Sequence, residues 1–389
     1  MKRYARYLAL LGVLVLVIAA CGDDADDGTT TTAEAEGTTT TAEAEAEETA
    51  TTAEAEATTT VAPMIGEGRL VGMAYDIGGR GDLSFNDLAA LAWDNGKTLY
   101  GYEGEELVPD EGGENREENL RLLAETGHEL IVANGFAFAN NVFRVATDHP
   151  DTLFTITDSC PEDDDFGTPE MANVRCMLFA EHEGSFLVGA AAAMVSETGT
   201  IGFIGGVQIG LIEKFQAGYD AGALFVNPEI NILPAVYLTQ PPDFSGFGDP
   251  VKGKEAALAL YAQGADVVFH AAGGSGFGLF EAAAEVSTDD VFLWAIGVDA
   301  DQYNTVSDPA LREHILTSML KRVDVAIGET ILDFLEGNFT SGPVIFDLEA
   351  EGVGYSTTGG FVDALVADLD EIAAMIISGD IEVPEVLEG

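Results

Sequence analysis

Short apolar runs alternate with segments of helical periodicity from residue 70 onward. The run Leu70–Tyr75 predicts a buried strand that stops at Asp76, and a glycine-rich loop follows it. Ser84 is a candidate N-cap for the helix that comes next. In an α/β sheet such a turn lies at the carboxyl end of the strand, where ligands bind. It would present a carboxylate on Asp76, an aromatic ring on Phe85 and an amide on Asn86. The alternative is structural, with Phe85 packed on the helix start and Asp76 capping the turn.

The alternation continues through the rest of the chain with few hairpin signals, which predicts an α/β protein with parallel sheets. Further strands are predicted over Leu130–Ala133, Leu153–Thr157, Thr200–Ile204, Ile232–Tyr237, Val267–His270, Phe292–Gly297 and His314–Met319. Helices are predicted over Glu118–Thr126, Asn140–Thr147, Glu183–Val195, Leu211–Leu224, Lys252–Ala262, Leu279–Val286, Val323–Leu335 and Phe361–Ser378.

Several predicted strands end in an acidic, amide or glycine residue. These residues are Asp76, Asn134, Asp158, Gly273 and Asp299. The carboxyl ends of parallel strands share one edge of a sheet, so two facing sheets would bring these residues into one cleft. The sequence therefore predicts a two-lobed binding protein.

The N-terminus has the pattern of an export signal. Lys2, Arg3 and Arg6 precede the apolar stretch Leu8–Ala20, which is too short for a comfortable membrane span. Ile18-Ala19-Ala20-Cys21-Gly22 resembles a bacterial lipobox, which implies cleavage after residue 20 and diacylglycerol on the sulfur of Cys21. An ordinary secretory signal is the alternative. Residues 21–67, rich in Thr, Ala and Glu, are predicted to form a disordered acidic tether.

Charge and cysteine content narrow the possible functions. The chain has 68 acidic and 16 basic residues, a net charge of −52, which argues against nucleic-acid binding. Cys160 and Cys176 flank a loop-like segment, and a disulfide between them is a candidate that the sequence leaves open. The five histidines are scattered without ligand spacing, so neither a metal site nor a cofactor is predicted.

Motifs of the common enzyme classes are not found in the sequence. It contains no G-x-S-x-G elbow, no H-E-x-x-H and no phosphate loop. Gly274, Gly276 and Gly278 of GGSGFG are each two residues apart, which does not fit the dinucleotide-binding spacing. We therefore expect a binding protein and not an enzyme.

An ordered set of segments resembles the basic membrane protein (BMP) family of substrate-binding lipoproteins. The segments are AYDIGGRGDLSFND, NVRCMLFAEHEGSFLVGAAAA, TGTIGFIGGVQIGLIEKFQAGYDAGA, GFGDPVKGKEAA, YAQGADVVFHAAGGSGFG, AIGVDADQY and LTSMLKRVDVAIGETI. The resemblance spans residues 70–384. It implies a type I periplasmic-binding-protein fold, with two doubly wound parallel-sheet lobes joined by a multi-strand hinge. It further implies a monomeric, lipid-anchored receptor on the outer face of the cell membrane, which delivers purine nucleosides to an ABC permease and its ATPase.

The resemblance also implies roles for individual residues. Asp76 and the Ser84-Phe85-Asn86 turn would line the first lobe's edge, with Phe85 on one face of the base. Asp158 would bind the base edge, and Phe247 would cover the opposite face, with Phe244 as the alternative to Phe247. Gly273 would allow close backbone approach, and Asp299 and Lys321 would hold the ribose hydroxyls.

The two lobes are expected to be built from separate stretches of the chain. We expect residues 68–180 and 299–320 to form the first lobe, and residues 181–298 and 321–389 to form the second. Chain crossings are expected near Ala180, Asp299 and Lys321, and closure about them would trap the ligand.

The main alternative to a nucleoside receptor is a receptor of the same fold for a sugar, a flavin or a signalling ligand. A lipoprotein sensor without a transporter is another.

Overall fold

Two β-sheets organise the part of the chain that the computed structural model describes, residues 63–110, 112–288 and 290–387. The strands are β1 (Val71–Ala74), β2 (Glu106–Leu107), β3 (Leu130–Ala133), β4 (Leu153–Thr157), β5 (Val174–Phe179), β6 (Thr200–Val207), β7 (Asn231–Ile232), β8 (Val236–Thr239), β9 (Val267–Ala271), β10 (Trp294–Asp299), β11 (Ile315–Lys321), β12 (Gly342–Phe346) and β13 (Val353–Tyr355). The helices are α1 (Phe85–Tyr100), α2 (Arg116–Glu125), α3 (Ala139–Asp148), α4 (Glu181–Val195), α5 (Gly210–Val226), α6 (Pro250–Ala262), α7 (Phe277–Val286), α8 (Gln302–Thr305), α9 (Pro309–Arg312), α10 (Val323–Glu336) and α11 (Val366–Ser378).

The first sheet has six parallel strands in the order β12-β5-β4-β3-β1-β2. Its central strands β1 and β3 are buried at every position because helices cover both faces. Val71 and Met73 pack in one apolar cluster with Trp93 of α1, whereas Ile131 packs on the other face with Leu120 of α2. We call this sheet and its helices lobe 1.

The second sheet has the order β13-β11-β10-β9-β6-β7, with β8 paired to β6. All its pairs are parallel except β11 with β13. It is also covered on both faces: Phe269 packs with Tyr219 of α5, and Val268 packs with Leu260 of α6. We call this sheet and its helices lobe 2. Both sheets have the parallel pairing that the alternation of strands and helices predicts.

The expected division of the C-terminal half between the lobes is wrong. All of strand β11 except its last residue, Lys321, lies within 299–320, which was expected in lobe 1, but the strand pairs with β10 in the second sheet. Strand β12, expected in lobe 2, pairs with β5 in the first sheet, and α10 packs on α1. Backbone hydrogen bonding between distant strands decides these memberships, and an apolar run does not reveal which neighbour a strand will choose.

The crossings follow from this pairing. The chain passes between the lobes after β5, near Ala180, and again after β11, near Lys321, as expected. The third passage lies between β12 and β13 and not near Asp299. Two crossing segments are tied together, because the Ala180 amide donates to the Phe346 carbonyl at 3.0 Å.

Cys160 and Cys176 form a disulfide. The sequence had left open whether these two cysteines are bridged. Cys176 lies on β5 and Cys160 follows β4, so the bridge closes the acidic loop between the two neighbouring strands.

The predicted signal peptide, Cys21 and the tether up to residue 62 lie outside the described residues. Within the described residues, no helix is long and apolar enough to cross a membrane, and no cluster of three or more metal-ligating side chains occurs.

Candidate ligand-binding cleft

A cavity of ≈ 290 Å³ lies between the two lobes, where the carboxyl ends of their strands meet. Residues of both lobes line it, and they include most of the predicted site: Asp76, Phe85, Asn86, Asp158, Phe247, Gly273, Asp299 and Lys321. Ser84 does not line the cavity but lies directly behind it, where its hydroxyl donates to Asp299 Oδ2 at 2.6 Å. The strand-end pattern and the turn after β1 pointed to most of these residues, whereas Phe247 and Lys321 were expected only from the family resemblance.

A buried ion cluster lies at one end of the cavity. Lys321 Nζ is 2.7 Å from Asp158 Oδ1 and 3.2 Å from Glu181 Oε1, and all three side chains are at most 5% exposed. Glu181 also pairs with Lys214, whose Nζ lies 3.1 Å from Oε2 and donates to the Phe179 carbonyl. Sequence reasoning missed Glu181, although a glutamate that opens the small-residue helix α4 is a visible signal.

The protonation of this cluster reflects two opposing effects. Burial alone would lower the pKa of Lys321, but the carboxylates of Asp158, Glu181 and Asp299 together raise it above the ordinary lysine value. Burial raises the pKa of Asp158 and of Asp299, and the Lys321 ammonium opposes that rise in both. Lys321 is therefore charged at neutral pH and compensates acids that are otherwise costly to bury.

Two of these acids have a strained backbone. Asp158 directly follows β4, and Asp299 is the last residue of β10. Their φ values of +67° and +62° lie in the left-handed region. Such a conformation costs a non-glycine residue about 1–3 kcal/mol and is concentrated at ligand sites. The conformation turns the chain at the strand's carboxyl edge, where both side chains line the cavity.

Loop residues 83 and 84 of lobe 1 are bound directly to lobe 2. The Leu83 carbonyl accepts hydrogen bonds from Gln302 Nε2 at 3.3 Å and from Thr305 Oγ1 at 3.2 Å. Ser84 Oγ lies within hydrogen-bond distance of the Val298 carbonyl as well as of Asp299. These contacts join the rims of the cleft, so the described conformation is a closed one. Gln302 and Thr305 were not anticipated from the sequence.

A second polar group lies at the lobe 1 side of the cavity. Arg116 Nη2 is 2.7 Å from Asp76 Oδ1, and Oδ1 also accepts from the Ile77 amide at 2.8 Å. Asn86 Oδ1 accepts from the Asp76 amide at 3.3 Å, so Asn86 holds the backbone of the strand end as well as lining the cavity. Arg116 was missed because it begins a highly charged stretch that is typical of a solvated helix.

Aromatic rings from both lobes line the cavity. Phe85 begins α1 in lobe 1, with its ring centroid 5.3 Å from Lys321 Nζ. Phe244 and Phe247 both line the cavity from lobe 2, so the choice between them stays open. Phe136 of lobe 1, which sequence reasoning missed, meets their edges at centroid distances of 5.8 and 6.4 Å. Gly273, with φ +52°, lies beside the Phe247 carbonyl.

Comparison with known proteins agrees with this architecture. The family model of PnrA-like ABC transporter substrate-binding proteins (Bmp) matches residues 70–386. The chain belongs to this family. This match confirms the expected membership of the BMP family. Proteins of the PnrA-like family are substrate-binding proteins of ABC transporters.

Individual relatives of this PnrA-like protein extend over most of its length. The "CD4+ T-cell-stimulating antigen" of Listeria innocua is 32% identical over 330 residues, covering 81% of this chain and 88% of the relative. The "ABC transporter nucleoside-binding protein BmpA" of Lactococcus lactis is 29% identical over 326 residues, covering 79% and 87%. "Basic membrane protein A" of Borreliella burgdorferi is 31% identical over 307 residues, covering 78% and 84%.

Solved structures match the fold of the PnrA-like chain. An ABC transporter solute-binding protein from Aeropyrum pernix K1 aligns with a TM-score of 0.69 and 29% identity, covering 81% of this chain and 94% of the other. A solute-binding protein from Conexibacter woesei aligns with a TM-score of 0.63 at 22% identity, covering 82% and 100%, which is a likeness of fold alone. The predicted fold class is confirmed.

Proposed function

We propose that the protein is a lipid-anchored receptor that binds a purine nucleoside in the interlobe cleft and delivers it to an ABC permease. The observation that carries this proposal is the composition of the cavity wall. Phe85 and Phe247 line the cavity from opposite lobes, and an acid–lysine cluster lies at one end of it. The nucleoside-binding relative from Lactococcus lactis supports the same ligand class.

The chemistry of a nucleoside suits this wall. Its base has two π faces, and stacking of a base on an aromatic side chain contributes about 1–3 kcal/mol in single-strand binders. Ribose hydroxyls can donate to Asp299 and accept from Lys321, and the base edge can donate to Asp158. Lys321 and Lys214 are already paired with the acids of this cluster, so no cation is left over for an anionic ligand, and an uncharged ligand suits the site best.

A ligand screen tests this proposal against its rivals. We expect guanosine, inosine or adenosine to raise the melting temperature, since a ligand at 100 times its Kd stabilises the native state by about 2.7 kcal/mol. Ribose, glucose and riboflavin at the same concentration are expected to have no effect. The measurement is differential scanning fluorimetry followed by titration calorimetry. A shift with a sugar or the flavin and none with nucleosides would overturn the nucleoside assignment in favour of another receptor of this fold.

Anchoring through Cys21 is part of the proposal. It rests on the lipobox-like sequence before Cys21, and it agrees with the name of a relative, "Uncharacterized lipoprotein" from Pyrococcus abyssi, which is 33% identical over 291 residues. In a bacterial host we expect the full-length protein in the membrane fraction, with mass spectrometry showing a diacylglycerol thioether on Cys21. The variant Cys21→Ser should lack the lipid. A mature N-terminus other than Cys21, or an unmodified Cys21, would refute the anchor.

A further inference from the structure

Arg116 lies buried at the edge of the cleft with hydrogen-bonding capacity left over. It is the first residue of α2, is 7% exposed and lines the cavity. Its Nη2 pairs with Asp76 at 2.7 Å, and its Nη1 donates to the Gly113 carbonyl at 3.2 Å. A guanidinium carries five N–H donors, so these two contacts leave three. Among the described residues, Nε has no hydrogen-bond partner, but it is closed to solvent and therefore to a ligand, so only the N–H groups remaining on Nη1 and Nη2 can serve one.

The charge of Arg116 is already compensated, although its donors are not. Asp76 neutralises it at 2.7 Å, so an acceptor arriving from the ligand does not need to be an anion. Arg80, which also lines the cavity, differs in this respect. Its two Nη groups lie 2.7 Å from Asp94 and 2.7 Å from Glu106, so both are engaged by carboxylates. Arg80 thus has four of its five donors engaged, whereas Arg116 has two, so Arg116 is the arginine of this wall with more donors left over.

One carboxylate oxygen beside Arg116 is also available. Asp76 Oδ1 accepts from Arg116 and from the Ile77 amide, whereas no described residue donates to Oδ2. Gly135 lies next to Oδ2 with φ +134°, and a Cβ there would come within 2.5 Å of that oxygen. A glycine at this position thus keeps Oδ2 uncovered. The lobe 1 wall presents several donors next to carboxylate acceptors, since Asp158 lines the same cavity.

We propose that Arg116 is a ligand-contacting residue that selects 6-oxopurines by donating to their O6 and N7. This inference rests on the proposed nucleoside function and adds the class of base. Along its edge a 6-oxopurine offers two adjacent acceptors, N7 and O6, followed by the N1–H donor for a carboxylate. Adenine offers an acceptor, then the N6 amino donor, which would face the guanidinium instead of accepting from it. Paired donation to O6 and N7 is the geometry for which the planar guanidinium is suited.

The test combines one conservative variant with one altered ligand. Arg116→Lys keeps the charge opposite Asp76 but loses the planar fork. By titration calorimetry, we expect the unmodified protein to bind guanosine and inosine about tenfold or more tighter than adenosine, and guanosine tighter than 7-deazaguanosine, which lacks N7. In R116K both differences should shrink to about threefold or less, with adenosine affinity nearly unchanged.

A control variant and the contrary outcomes distinguish direct contact of Arg116 with the base from a purely structural role of Arg116. Arg121→Lys, on the same helix and paired with Glu117 and Asp148 at the surface, should leave both differences intact. An R116K protein that loses affinity equally for every ligand, or that keeps the full N7 difference, would overturn the inference. If R116K does not fold, the same two ratios are measured in Arg116→Gln. Binding of no nucleoside by the unmodified protein would instead refute the proposed function.

Discussion

Replacing Lys321 with methionine should destabilise the protein by about 3–5 kcal/mol, the usual cost of removing one partner from a buried ion pair. Lys321 is 2% exposed, and its Nζ lies 2.7 Å from Asp158 and 3.2 Å from Glu181. Without it, no other lysine or arginine of the described residues pairs with the Asp158 carboxylate. Glu181 keeps a contact with Lys214. Urea denaturation of the ligand-free protein measures the loss.

The loss should depend on pH in a defined direction. Burial already raises the pKa of Asp158, and Lys321 opposes that rise. In K321M the folded-state pKa of Asp158 therefore moves further above its unfolded value, so the native state holds a proton that the unfolded state releases. Stability falls as pH rises in that case, and the deficit of K321M should be larger at pH 8 than at pH 5.

A second substitution and a matched control complete this experiment. Adding Asp158→Asn to K321M should restore part of the stability, because it removes the carboxylate that lost its partner. Lys252→Met removes a lysine that is 44% exposed on α6 and should change the stability by less than about 1 kcal/mol. A K321M protein as stable as K252M would show that the cluster is not a tightly coupled ion network.

Lys321→Met should also weaken nucleosides more than free bases, if Lys321 binds the ribose. Titration calorimetry at a temperature where the variant is folded compares the two ligand series. Equal losses for nucleosides and bases would argue against a ribose contact by Lys321.

Phe85→Ala should lower nucleoside affinity by about 5- to 150-fold, the equivalent of the 1–3 kcal/mol that a base–aromatic stack contributes. Phe85 lines the cavity from lobe 1 and also packs partly against the apolar core, so the alanine variant will lose some stability too. Phe85→Leu separates the two effects, since it keeps apolar bulk but removes the π face. Both variants should bind nucleosides weakly by titration calorimetry, with F85L the more stable.

The matched control for Phe85 is a phenylalanine outside the cleft. Phe292 is 44% exposed in lobe 2, against His314, and Phe292→Ala should leave nucleoside affinity unchanged. Unchanged affinity in both F85A and F85L would remove Phe85 from the binding site. Equal losses in F292A would indicate a general effect of the substitution on the fold.

Local patterns predicted most elements of the fold to within a few residues. Strands β3 and β4 match the expected bounds, because a short apolar run between polar turns has few other interpretations. Ile232–Tyr237 was expected as one strand but is divided between β7 and β8. Strands β2, β5, β12 and β13 were not anticipated as separate elements. β2, β12 and β13 lie at sheet edges and are partly exposed, so their sequences lack the continuous apolar run of a central strand.

The candidate site divides in the same way. Residues at strand ends, such as Asp76, Asp158 and Asp299, were predicted because the end of a parallel strand has a defined place in the fold. Glu181 and Phe136 were not, since a charge or ring beside a helix start is equally typical of a solvated surface. Their importance comes from neighbours far along the chain, such as Lys321 for Glu181.

By itself, the sequence determined the alternation of strands and helices, the family and the strand-end residues of the cleft, all of which depend on local periodicity or on motifs. Only the tertiary structure decided which sheet receives β11 and β12, and that Arg116 is buried against Asp76. The physical reason is that hydrogen bonding between strands and the compensation of buried charge depend on which distant residues meet. No stretch of a few residues carries that information.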